Sequence, residues 1–259
     1  MTPIAIATED ELSEAIAIRL LSEIQSPYYI THRLRKGGFG YLRSRMDSWR
    51  QMAKHQVMMV LTDLDRADCV VDFRDEWLAH KPVPESLLFR VAVREMESWA
   101  LADHEAMRAL IGVRGVLPVA PDELPDPKQV LLRLANGAPR PVKVDLLKTV
   151  DGTLYQGLGY NACLTEWVGS VWNPQRAAER SPSLARARHR LQEVVNAFGA
   201  PRLSTPRRTI PHRRPRSLPA RPVRQPAPAP DRQPIHPSPS GRGAGARGSR
   251  RDRITPNLA

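Results

Sequence analysis

Hydrophobic positions in the first 110 residues alternate between short apolar runs and stretches with helical spacing. The runs at 3–7, 57–62 and 87–93 have the length of strands, and the second is apolar on both alternating faces, as in a central strand of a parallel sheet. Between the runs, apolar residues recur every three or four positions. This alternation predicts a three-layer α/β domain with a parallel sheet.

Boundary signals divide the chain further. Thr8 with Glu11 fits a capping box and predicts the start of the first helix. Residues 96–110 have the pattern of one helix on the same domain, which we place at residues 1–112. Beyond it, residues 113–199 carry helical patterns and no evident strand, and Asp126 is placed as a helix N-cap. We therefore predict a mainly helical extension at 113–199.

The charge of the chain is concentrated at its end. Residues 1–199 contain 25 basic and 25 acidic side chains, whereas residues 200–259 contain 14 Arg, two Asp, 13 Pro and no aromatic residue. Such a composition cannot offset the entropy of ordering, so we expect a disordered basic tail. Two interpretations stay open. The tail is either an arm that binds nucleic acid through phosphates, or a frameshifted or fortuitous extension, because GC-rich codons in an unselected reading frame also give Arg, Pro, Ala and Gly.

Several classes of protein are disfavoured by the sequence. Cys69 and Cys163 are too few for a disulfide framework or a zinc site. Residues 1–8 lack the features of a signal peptide, and the longest apolar run, 57–61, is far short of the roughly 18 to 20 residues that span a bilayer. We expect a cytoplasmic protein without a membrane segment.

Acidic residues follow each of the three apolar runs. They are Glu9 and Asp10, Asp63 and Asp65, and Glu95 and Glu97. Open α/β sheets place ligands at the carboxyl ends of their strands. In extended backbone Asp63 and Asp65 would point to the same side and could share a cation. Glu9 would complete the set of ligands. Carboxylate oxygens favour Mg²⁺ or Mn²⁺.

These motifs resemble those of the Toprim fold, specifically prokaryotic Toprim-like proteins related to the nuclease domains of the overcoming-lysogenization-defect (OLD) family. The resemblance covers residues 4–111 and consists of three stations: an acid after the first strand, the Asp63-x-Asp65 motif, and the Glu97-Ser98-Trp99 segment. Asp103 lies at the family's usual downstream position.

The first station departs from the family pattern. Relatives have Val-Glu-Gly-x-Thr-Glu, whereas this chain has Ala-Thr-Glu-Asp-Glu at 7–11 and lacks the glycine. Either Glu9 or Asp10 therefore occupies the first acidic position, and we favour Glu9 because it directly follows the strand.

The resemblance implies a Mg²⁺-dependent nuclease or a related phosphoryl-transfer enzyme that acts on nucleic acid, a function compatible with phage defence. Glu9 would serve as acid, base or metal ligand, Asp63 and Asp65 as the principal ligands, and Glu97 as an outer or second-metal ligand. Such chemistry uses a cation because negative charge accumulates on the phosphate oxygens during cleavage.

A basic segment offers candidate contacts to nucleic acid. Residues 31–45 combine basic side chains with three glycines and suggest a flexible loop. Its candidates for phosphate contacts are Arg33, Arg35, Lys36 and Arg43.

The alternative is a non-catalytic, Toprim-shaped subunit that binds nucleic acid or regulates an ATPase partner. The missing glycine after Glu9 favours it, and the chain itself contains no Walker A motif.

Overall fold

Four parallel strands form the centre of the fold. The structure, a computed structural model, describes residues 1–35 and 37–199. The strands are β1 (Thr2–Thr8), β2 (Tyr28–Leu34), β3 (Val57–Asp63) and β4 (Leu87–Ala92), in the order β2-β1-β3-β4. The predicted α/β class with a parallel sheet is thus confirmed. Lys36 and the predicted tail, 200–259, lie outside the described residues.

Helices cover both faces of this sheet. They are α1 (Glu11–Leu21), α2 (Gly38–Ser44), α3 (Met46–Met52), α4 (Val70–Leu78), α5 (Met96–Ala102), α6 (His104–Ile111), α7 (Pro127–Ala135), α8 (Arg140–Leu146), α9 (Tyr160–Ser170), α10 (Pro174–Ala178) and α11 (Pro182–Gly199). None of these helices is long and apolar enough to cross a membrane.

The strands alternate their side chains between two hydrophobic cores. Phe89 on one face packs with α2, α3 and α4, where Trp77 stacks on it at a ring-centroid distance of 5.1 Å. Leu88 on the other face belongs to a larger core that includes α1, α5 and α11 and continues through Leu131 of α7 and Leu164 of α9. Residues on both sides of position 112 therefore share this second core.

Strand order fixes where a ligand site can form. From β1 the chain moves outward to β2, then returns across β1 to β3 and continues outward to β4. The crossover directions reverse between β1 and β3, so the carboxyl ends of these two strands flank a crevice. Thr8 pairs with Leu61 and Asp63 with Ala92, which brings the ends of β1, β3 and β4 to one edge.

Two local predictions from the sequence are wrong. Residues 31–45 are not a flexible loop, because they contribute to β2, which pairs with β1, and to α2. The hydrophobic pattern did not predict this strand, because β2 lies at the sheet edge, is only partly buried and therefore lacks an apolar run. The region 113–199 contains an exposed hairpin, β5 (Leu147–Val150) with β6 (Thr153–Gln156), where no strand was expected.

Two helix boundaries also differ from expectation. Thr8 belongs to β1, and Asp10 is the N-cap of α1, accepting a hydrogen bond from Ser13 N at 2.8 Å. The single helix predicted over 96–110 is broken at Asp103, which caps α6 by accepting from Ala106 N at 3.2 Å. Asp126 caps α7 as predicted.

Asp103 also forms a buried ion pair that ties α10 to the break between α5 and α6. Its side chain is fully buried and accepts two hydrogen bonds from the Arg176 guanidinium, both at 2.8 Å. Asn173 N donates a further hydrogen bond at 2.7 Å. Every acceptor position is therefore used structurally, and Asp103 serves the fold.

We predict that Asp103→Asn lowers the free energy of unfolding by about 2–4 kcal/mol, because it breaks a buried, bidentate charge pair. Urea unfolding followed by circular dichroism measures the change. The matched control is Glu105→Gln, which removes an exposed carboxylate 3.6 Å from the same Arg176 and is expected to cost under about 0.5 kcal/mol. Equal effects of the two substitutions would refute this role.

Candidate functional site

Glu9 and Asp63 meet at the crevice between β1 and β3. Glu9 directly follows β1, and its Oε1 accepts hydrogen bonds from the Thr62 hydroxyl and, at 3.1 Å, from Asp63 N. The carboxylate of Glu9 is thereby held over the end of β3. Asp10, by contrast, accepts from Ser13 N and Oγ as the cap of α1. Of the two candidates for the first acidic position, Glu9 is the one that contacts β3.

Asp63 carries a buried carboxylate oxygen with no hydrogen-bond partner among the described residues, namely Oδ1. Burial raises the pKa of Asp63 well above its ordinary value, and the nearby charges of Glu97 and Glu9 raise it further. Burial likewise raises the pKa of Glu9, although its hydrogen bonds from Thr62 and Asp63 oppose the change. Either a bound proton or a cation would relieve this concentration of negative charge.

Glu97 lies in the first turn of α5 and is almost completely buried, with 3% of the residue exposed. Its Oε1 accepts a hydrogen bond from the Tyr160 hydroxyl at 2.9 Å and lies 3.5 Å from Lys128 Nζ. Burial raises the pKa of Glu97, while the charge of Lys128 works in the opposite direction. Glu97 therefore faces the same charged interior as Asp63.

Asp65 occupies a different position from the one that its spacing predicts. The strand ends at Asp63, and Asp65 is exposed with a φ of 51°. Alternation of side chains along extended backbone therefore does not extend to Asp65. Aspartate is among the few residues that tolerate such a φ, so the turn here is compatible with its sequence.

Lys128 at the start of α7 supplies the positive charge beside these acids. Its backbone N–H donates to Glu95 Oε2 at 2.9 Å, and its Nζ lies 3.9 Å from Glu95 Oε1. Burial alone would lower the pKa of Lys128, but the charges of Glu97, Glu95 and Asp63 raise it above its ordinary value. Lys128 is therefore held in its charged form.

Sequence reasoning did not find Lys128 or Tyr160, because both come from the helical extension rather than from the motif-bearing sheet. Gly159, in the loop before α9, is the one sequence feature that bears on the position of Tyr160. A Cβ on Gly159 would lie 2.7 Å from Asp145 Oδ1, so glycine allows the loop to approach Asp145 closely. This close packing sets the start of α9, from which Tyr160 reaches Glu97.

The acidic side chains do not form a ready-made metal cage. Within residues 1–35 and 37–199, no group of three or more His, Cys, Asp or Glu side chains is arranged to hold an ion. The carboxylates instead lie within range of one another's charge, with Lys128 beside them.

A cleft of about 460 Å³ lies beside the acidic residues, lined by both signs of charge. Its lining includes Asp65 and Glu95 with Arg66 and Arg94. Arg94 is fixed through hydrogen bonds from Nη1 to the carbonyl oxygens of Asp65 and Ala67, at 3.2 and 2.9 Å. Guanidinium groups are suited to bind phosphate or carboxylate groups.

The basic residues predicted to bind nucleic acid already have acidic neighbours. Arg35 pairs with Glu11 at 2.9 Å and with Glu14 at 3.2 Å, and Arg33 lies 3.9 Å from Glu14. Arg43 pairs with Glu76 across to α4. Arg33 and Arg35 line a groove of about 570 Å³ between α1 and α9. Their binding to nucleic acid stays a prediction, as does that of Lys36.

Comparisons with known proteins find no match: no family model, no curated protein and no solved structure is similar to this chain. The parallel sheet and the geometry of the acidic residues therefore carry the functional assignment.

The raised pKa of Asp63 predicts a pH dependence of stability in the absence of divalent cations. Because the folded-state pKa lies above the ordinary value of 3.8, the folded protein holds a proton that the unfolded chain releases. This contribution to stability is fully present below pH 3.8 and is lost as the pH rises through the raised pKa. Glu9 and Glu97 contribute with the same sign.

Asp63→Asn is therefore expected to raise the free energy of unfolding at pH 8 in EDTA by about 1–3 kcal/mol, because it removes the charge of a carboxylate that its acidic neighbours repel and whose buried Oδ1 has no hydrogen-bond partner among the described residues. Urea unfolding at pH 5 and pH 8 should show a smaller loss for the variant than for the natural chain. Asp72→Asn, at an exposed position of α4, is the control. A variant that is destabilised at pH 8, or that keeps the full pH dependence, would contradict the buried, repelled state of Asp63.

Proposed function

We propose that this protein is a Toprim-like enzyme that uses Mg²⁺ or Mn²⁺ to cleave phosphodiester bonds in nucleic acid. One observation carries the proposal: Asp63 lies at the switch point of a parallel sheet within range of the charges of Glu9 and Glu97, and its buried Oδ1 has no hydrogen-bond partner among the described residues. Natural proteins rarely leave such an oxygen unpaired without a ligand to fill the position.

The surroundings of each acidic residue indicate its role in the proposed reaction. Asp63, whose Oδ1 is buried and whose carboxylate is repelled by its acidic neighbours, is the principal metal ligand, and Glu97 and the exposed Asp65 are further ligands. Burial raises the pKa of Glu9 above its ordinary value, which is the direction that favours an acid or base. When bound, the metal supplies a Lewis acid that activates water and neutralises charge on the phosphate.

Lys128 and Tyr160 position Glu97 from the helical side of the site. The hydroxyl of Tyr160 orients the carboxylate, and Lys128 compensates part of its charge when no metal is present. Arg66 and Arg94, at the adjoining cleft, are suited to hold the non-bridging oxygens of the substrate.

A second candidate function is the non-catalytic one, a nucleic-acid-binding or regulatory subunit that works with an ATPase partner. Lys128 favours it, because an ammonium group 3.5 Å from Glu97 can replace the metal and hold the acids together permanently. In that case the carboxylates would serve the fold alone. The two candidates therefore differ in whether a divalent cation binds.

Metal binding distinguishes the two functions. Isothermal titration of the full chain with Mg²⁺ and Mn²⁺ is expected to give binding that Asp63→Asn weakens at least about tenfold, because that substitution removes the principal charged ligand. The control, Asp72→Asn, has the same change of charge at an exposed position and is expected to bind as the natural chain does. Binding that is absent, or equal in all three proteins, would favour the non-catalytic subunit.

Catalysis has its own expected outcome. With Mn²⁺ and labelled single-stranded DNA and RNA, we expect cleavage that Asp63→Asn reduces by about 100-fold or more and that Asp72→Asn leaves unchanged. Metal binding without cleavage of either substrate would retain the metal site and contradict the assigned reaction.

A further inference from the structure

Four arginines lie within range of one another's charge beside β4, the outer strand of the sheet. They are Arg74 of α4, Arg90 of β4, and Arg186 and Arg190 of α11; we call them the arginine cluster. β4 is an edge strand, so side chains from both helical layers can approach the same line of backbone.

Arg90, Arg186 and Arg190 lie on one side of the sheet, whereas Arg74 belongs to α4 in the other helical layer. Arg90 points to the side of the sheet covered by α11, since its neighbours Leu88 and Ala92 belong to that core. α11 begins near α5, where Trp99 Nε1 donates to Ser183 Oγ at 2.7 Å, and α11 packs on β4. Arg186 and Arg190 are four residues apart and therefore share one helix face.

The arginine cluster has an excess of positive charge that its surroundings do not neutralise. The Nε atoms of Arg74 and Arg90 are buried and have no hydrogen-bond partner within the described part of the chain. Burial lowers the pKa of Arg90 to about 10, and the charges of Arg74 and Arg190 lower it further. The nearby acid, Glu193, already binds Arg190 Nη1 at 3.0 Å. Like charges held together in this way favour an anion between them.

We propose that the arginine cluster binds the phosphodiester backbone of a nucleic-acid strand that runs along β4 toward the acidic site. Arg90 lies two residues before Ala92, which pairs with Asp63, so the cluster begins about 7 Å along the strand from the end of β3. Guanidinium groups spaced along an edge match a chain of phosphates better than a single compact anion. The proposal rests on the proposed function for its choice of nucleic acid as ligand.

The sequence beyond α11 agrees with this ligand. The helix that carries Arg186 and Arg190 leads into residues 200–259, which contain 14 Arg and no Lys.

The test is the salt dependence of oligonucleotide binding by the full chain. Fluorescence anisotropy with a labelled 20-nucleotide oligodeoxythymidylate in EDTA measures binding without metal or cleavage. Arg74→Gln/Arg90→Gln is expected to lower the slope of log Kd against log salt by about 1.4, as for two lost phosphate contacts, and to weaken binding on the order of tenfold at low salt.

The control removes the same charge elsewhere. Arg114→Gln/Arg140→Gln changes two exposed arginines of the helical extension and is expected to leave the slope nearly unchanged, with the tail present in every protein. If the buried arginines prove necessary for folding, Arg186→Gln at an exposed position replaces them and should lower the slope by about 0.7. Equal slopes in the cluster and control variants would overturn the proposal.

Two further arms decide between ligands and between proposals. Polyglutamate at equal charge is expected not to displace the oligonucleotide; displacement that depends on Arg74 and Arg90 would overturn the choice of nucleic acid. Because binding is measured without metal, loss of binding in the cluster variant supports this site even if Asp63→Asn shows no effect on catalysis. If the cluster variant binds the oligonucleotide normally and cleavage persists, the arginine-cluster proposal is refuted and the proposed nuclease function is not.

Discussion

Burial of several carboxylates at one edge of the sheet is the constraint on which the site depends. Glu9, Asp63 and Glu97 are brought there by different elements, and each has its pKa raised by burial. An arrangement of this kind is costly unless positive charge compensates it. Lys128 provides part of that charge, and within the described residues Asp63 Oδ1 has no hydrogen-bond partner.

The helical residues after position 112 contribute to the chemistry as well as to the core. Lys128 and Tyr160 reach Glu97 from α7 and α9, and Asp103 joins α10 to the break between α5 and α6 through Arg176. The second core continues from β4 and α1 into these helices. A change in their packing would therefore alter the charge balance at the site, even though the acids themselves lie on or beside the sheet.

Sequence patterns predicted the parts of the molecule with strong periodicity or strong local chemistry. The apolar run of β3 identified a central parallel strand, and Asp126 identified the start of α7. The edge strand β2 lacked such a pattern because it is largely exposed, and the position of Asp65 was missed because strand alternation ends at Asp63. Sequence patterns could not predict that Lys128 and Tyr160 lie beside Glu97, because only tertiary packing brings them there.

The central claim is that Asp63 binds a divalent cation together with Glu9 or Glu97. Anomalous X-ray diffraction tests this claim most directly. Crystals of the full chain soaked in Mn²⁺ should show an anomalous peak at the switch point between β1 and β3, at about 2.0–2.6 Å from a carboxylate oxygen of Asp63 and within reach of Glu9 or Glu97. A peak elsewhere, or none while Lys128 keeps its contact with Glu97, would contradict the account.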